Sequence, residues 1–61
     1  MSNLERELRN ELGNNFEKAY KELFDDLLSR TGRRHPRENV LIYMRQMEDF
    51  MKYGTPPSIF F

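Results

Sequence analysis

Cysteine is absent from this chain, which rules out disulfide staples and thiolate zinc sites together. Histidine is nearly absent. His35 stands alone, too little for a histidine-rich metal site, and no motif surrounds Ser2, Ser29 or Ser58 to suggest a serine–histidine–acid arrangement. No Gly-rich phosphate loop occurs either. The adjacent carboxylates Asp25–Asp26 and Glu48–Asp49 do not converge on a metal, because neighbours on a helix diverge by about 100°. The sequence therefore predicts no enzyme, no cofactor, no metal site and no small-molecule substrate.

Long apolar runs are missing too. None approaches the ~20 residues of a membrane span. The start, Met-Ser-Asn-Leu-Glu, lacks the basic and apolar regions of a secretion signal, so the expectation is a cytoplasmic protein with no membrane role. An excess of one charge is lacking as well: ten basic and ten acidic side chains cancel, which argues against a generally cationic nucleic-acid protein. Length is the last shortage. A chain of 61 residues is one small domain, and such a chain buries only about 60% of the surface its unfolded form exposes. With disulfides and metal excluded, oligomerisation, a dimer above all, or binding to a larger protein remains as the source of added stability.

Leucines and aromatics at a regular spacing are what the chain does have. Leu4, Leu8, Leu12, Phe16, Tyr20, Phe24 and Leu28 follow one another at intervals of four. Each such step overshoots a helical turn by about 40°, so the stripe winds roughly 240° around a straight helix. One flat partner cannot cover it. Ser2 with Glu5 fits a capping box that opens a helix over 3–12. Gly13-Asn14-Asn15 then favours a kink or break, with Asn14 and Glu17 repeating the N-cap pattern. Ala19, Leu23 and Leu27 widen the stripe into the core face of a helix over 15–31, closed by Gly32.

Pro36 suits a first helical position, and the next helix runs over 37–53 with Gly54 as its cap. Its principal face is Val40, Tyr43, Met44, Met47, Phe50 and Met51. Leu41 and Ile42 point elsewhere, so its first turns are apolar nearly all round and need cover on more than one side. The fold class is accordingly all-α: an antiparallel helical hairpin with an N-terminal helical extension or short third helix, completed by oligomerisation or a partner. Residues 54–61 form an extended apolar tail, in which Pro56 and Pro57 stop any helix before Ile59, Phe60 and Phe61.

Two candidate surfaces follow. Apolar partner contacts are expected at Leu4, Leu8, Leu12, Leu41, Ile42, Ile59, Phe60 and Phe61. Met44, Met47 and Met51 form an adaptable strip that at helical spacing is more often core than binding face. The second surface is basic. Residues 1–28 carry a net charge of −3 and residues 29–37 a net of +4. Arg30, Arg33, Arg34, His35 and Arg37 thus sit beside the free N–H groups of a helix start, a setting for phosphate or carboxylate. Arg37 is informative here, since a cation at a helix N-terminus is unfavourable unless an anion lies near. The leading function is a small non-catalytic protein-interaction module (a regulator, adaptor or assembly factor) of a composition that also suits phage or mobile-element accessory proteins. The alternative is a nucleic-acid-binding module using the Arg30–Arg37 connector.

Overall fold

The computed structural model describes residues 2–54, and every regular element among them is helical. Helix α1 spans Asn3–Leu12, α2 spans Phe16–Thr31 and α3 spans Arg37–Tyr53, with one 3₁₀ turn, Gly13–Asn15, between α1 and α2. Residues 55–61, and with them Ile59, Phe60 and Phe61, lie outside the described residues.

Half of the capping box at the start of α1 forms. The Glu5 N–H donates to Ser2 Oγ at 3.1 Å, but the Glu5 side chain does not reach back to complete it, because two arginines hold it elsewhere. At the other end Gly13 has φ 57° and ψ −127°, a conformation closed to residues with a Cβ, and its N–H bonds to the Arg9 carbonyl. The helical path therefore breaks at Gly13. Asn14 is not the N-cap of α2: it lies within the 3₁₀ turn, and α2 grows directly out of that turn with no side-chain cap. Gly32 ends α2 in the left-handed region, its N–H bonding to the Leu28 carbonyl at 2.8 Å. Pro36 is the N-cap of α3 rather than its first residue, and its carbonyl accepts from the N–H groups of Asn39 and Val40.

The break at Gly13 decides the packing. With the chain turned there, α1 folds back on α3 instead of projecting from the hairpin. The two run in parallel, as the pairs Glu5–Arg37 and Glu11–Arg45 show. Helix α2 runs opposite to α3, with Leu27 packed near Val40, Leu23 near Met47, and the Tyr43 hydroxyl on Asp26. Two buried clusters result. Leu8, Phe16, Leu41 and Met44 form one where all three helices meet; Leu27, Val40 and Tyr43 form the other between α2 and α3.

This packing corrects two expectations. Leu8 and Leu41 read in the sequence as partner contacts, yet they are 0% and 1% exposed. They have no surface left for a partner. Leu4 and Leu12 are half-buried against the same cluster. The second side of α3 does need cover, but α1 of the same chain supplies it. Each fully buried leucine removes enough apolar area from water to contribute roughly 1.5–3 kcal/mol, which explains why a chain this small docks its third helix on itself.

Candidate functional site

Cover fails at one end. Helix α1 stops at Leu12, while α3 continues for about two turns beyond the level of that residue. Between them and the first half of α2 an apolar groove stays open, with a volume of about 310 Å³. Leu12, Ala19, Leu23, Met44, Met47 and Met51 form its walls, and Glu48 and Lys52 stand at its rim. Met51 is 83% exposed; Phe50 and Tyr53, which lie on other faces of α3 and not in the groove wall, are 42% and 74% exposed. The principal face expected for α3 is thus core at Val40, Tyr43 and Met44 and loses its cover towards Phe50 and Met51. Ile42, on the far side of α3, is 36% exposed and remains at the surface.

The rim is polar and densely paired. Arg45 Nη1 donates to Glu11 Oε2 at 3.2 Å and to Glu48 Oε1 at 3.3 Å, and Arg45 Nε lies 3.9 Å from Asp49. Lys52 Nζ lies 3.9 Å from Glu11. Hydrogen bonding to Glu48 holds Glu11 below the ordinary carboxylate range, with Lys52 and Arg45 adding to it. Burial pushes Glu48 up, and the neighbouring Glu11 pushes it further. Two carboxylates from different helices therefore share one guanidinium at the mouth of an apolar groove.

The basic connector is organised differently. Arg37 donates to Glu5 through Nε at 2.9 Å and through a terminal nitrogen at 3.0 Å, and Arg9 Nε donates to the same carboxylate at 2.9 Å. These bonds lower the Glu5 pKa to about 2, Arg37 first and Arg9 second. Arg37 also lies 4.6 Å above the Tyr20 ring, and Arg9 lies 4.4 Å above Phe16. The anion that the position of Arg37 called for is a side chain of its own chain. Arg30 Nε donates to both oxygens of Asp26, which also accepts from the buried Tyr43 hydroxyl.

His35 is buried, with Nε2 2.7 Å from Thr31 Oγ1. The Thr31 hydroxyl also lies 2.7 Å from the Leu27 carbonyl and 3.3 Å from the Arg33 carbonyl, so it ties the connector to the end of α2. The connector's candidates are therefore not brought together as one site. Arg30, His35 and Arg37 serve the fold, and Arg33 and Arg34 alone are exposed with no ion pair among the described residues.

Among the described residues no group of three or more histidine, cysteine, aspartate or glutamate side chains could hold a metal ion. No described helix is long and apolar enough to cross a membrane. The open groove is the site that sequence reasoning missed. Its signal was the Met44, Met47 and Met51 strip, which helical spacing assigns to core more often than to a binding face. No family model, curated protein or solved structure matches the chain.

Proposed function

We propose that the chain is a small non-catalytic protein-interaction module, a regulator, adaptor or assembly factor, and that its binding face is the methionine-lined groove. The observation that carries this reading is an apolar groove of about 310 Å³ left open, with Met51 exposed in its wall. A chain of this size has little apolar surface to leave unused. Methionine supports the reading because its unbranched, polarisable side chain adapts to irregular partners. A second copy of the chain and a larger protein are both partners of the right class.

The nucleic-acid alternative loses support, since a phosphate contact needs free cations and the connector offers only Arg33 and Arg34.

The test combines mass in solution with recovery of bound protein from the native host, for the natural chain and for Met51→Glu. Met51 is exposed, so the substitution leaves the helical circular-dichroism signal intact. The natural chain is expected to be recovered in a stoichiometric complex, or as a defined oligomer, that Met51→Glu disrupts. A chain that is monomeric at high concentration, binds nothing, and is unchanged by Met51→Glu would remove the proposal.

A further inference from the structure

The groove opens where the chain leaves α3. Met51 and Lys52 line it, and Gly54, two residues on, is the cap of that helix. Gly54 follows Met47 by seven residues, which places the two within about 20° of each other around the helix. The backbone at Gly54 has φ 72° and ψ 13°, the left-handed turn that takes a chain off the helix axis. The residues after Gly54 therefore start on the groove's side of α3.

That segment, Thr-Pro-Pro-Ser-Ile-Phe-Phe, lies outside the described residues, and its chemistry matches the lining. It carries no charged side chain. Among the described residues the charged groups lining the groove are Glu48 and Lys52, one of each sign. Ile59, Phe60 and Phe61 are apolar, and phenylalanine rings make favourable contacts with the thioether of methionine. Pro56 and Pro57 have no N–H to bury against an apolar wall, and their stiffness reduces the entropy lost on docking. Length fits as well. Five extended residues at about 3.1 Å each span roughly 15 Å, and the ten helical steps from Met44 to Gly54 rise about 15 Å. Ile59 thus reaches any level of the groove between Met51 and Met44. The groove's volume of about 310 Å³ stands at the lower end of the ~300–1,000 Å³ of small-ligand sites, room for a few side chains.

We infer that residues 55–61 fold back along α3 of the same chain and seat Ile59 and Phe60 in the methionine groove, as a cover that a partner must displace. The displacement rests on the groove being the protein-binding face, whereas the fold-back contact does not. Attachment favours the chain's own tail over that of a second copy. A short connection holds a segment near its site at an effective concentration of about millimolar, so weak contacts are enough to fill the groove.

Ser58→Cys supplies a single attachment point for a nitroxide label, because the chain has no cysteine of its own. The label is expected to broaden the Met47 and Met51 methyl NMR signals far more than those of Val40, which lies roughly 16 Å from Met51 along α3. The broadening should persist when labelled chain is diluted into an excess of unlabelled chain. Loss on that dilution assigns the groove to the tail of a second copy and overturns the inference, as does an absence of broadening at the methionines. Displacement is read with a synthetic peptide of residues 54–61, titrated into the full chain and into its variant carrying Ile59→Asp and Phe60→Asp. The variant should bind the peptide about tenfold or more tighter, with the Met47 and Met51 methyl signals moving, since its own tail no longer competes. Equal affinity, or no binding to the variant, overturns the fold-back contact. Either failure leaves the interaction module standing, because Met51→Glu tests that reading separately. Broadening at the methionines with no partner recovered by the natural chain or the variant keeps the contact and removes both the module and the displacement.

Discussion

Arg37 and Glu5, 32 positions apart in the chain, are joined by two hydrogen bonds of 2.9 and 3.0 Å, and the guanidinium lies above the Tyr20 ring. One side chain at the start of α3 thereby touches all three helices. The pairing is geometrically selective, because a guanidinium presents two parallel N–H groups to the two oxygens of a carboxylate. It fixes the register of α1 on α3 at the end of the bundle opposite the groove.

Acid should undo this pairing within a definite window. The Glu5 pKa is lowered from 4.5 to about 2 in the folded chain. A depressed folded value means that the contribution to stability is fully present above about pH 4.5 and is lost as pH falls towards about 2. Carboxyl NMR titration should give Glu5 a midpoint near the lower value, and Glu5→Gln should remove this part of the acid dependence of thermal unfolding. A Glu5 midpoint at the ordinary glutamate value would contradict the assigned bonds.

Leu8 and Ile42 should respond in opposite ways to truncation. Leu8→Ala empties a fully enclosed position and is expected to cost about 2–5 kcal/mol, enough to leave much of so small a chain unfolded. Ile42→Ser changes a residue at the surface, and its effect should stay within roughly 0.5 kcal/mol. Thermal unfolding followed by circular dichroism checks both. Equal effects would mean that α1 is not docked as described.

Gly13 should resist substitution although space surrounds it. A Cβ added there meets nothing within 4 Å, so a clash with neighbouring groups is not the obstacle. The backbone is: φ 57° with ψ −127° excludes side chains, and Gly13→Ala is expected to cost about 1–3 kcal/mol. The loss should concentrate in α1, visible as faster amide exchange over Asn3–Leu12 than over α3. Unaltered exchange in Gly13→Ala would show that the turn tolerates another geometry.

Tyr43 should titrate late and matter for stability. Burial raises its pKa above 10.0, and the Asp26 carboxylate raises it further. With a raised folded value, its contribution is present below pH 10.0 and lost as pH rises through the folded pKa. Absorbance titration should show one tyrosine ionising only as the helices unfold. Tyr43→Phe should remove that late step and cost about 1 kcal/mol, the net worth of the hydrogen bond to Asp26. A late step that persists in Tyr43→Phe would assign it to another residue.

Much of the helical content is legible along the chain because its causes are local. Ser2 accepts from the Glu5 N–H three residues on, and Gly32 and Gly54 adopt the left-handed conformation that ends a helix. The intervals of Ala19, Leu23 and Leu27 state which side of α2 is apolar. Arg37 even announced that an anion lay beside it. Which anion was not legible, since Glu5 is one of many carboxylates and distance along the sequence says nothing about distance in space. Leu41 was misjudged for the same reason: its need for cover could be read, but not the identity of what covers it.

Amino-acid order by itself determined that the chain is helical, where each helix stops, and which sides of those helices avoid water. These depend on backbone dihedrals and on contacts within a few residues. Tertiary structure alone decided that the first three leucines turn inward on α3, that Arg30, His35 and Arg37 belong to the fold, and that the open apolar surface is the methionine groove. The physical reason is the turn at Gly13. A rotation of one backbone unit swings ten residues of α1 onto α3, and where that helix ends determines how much of α3 it leaves uncovered.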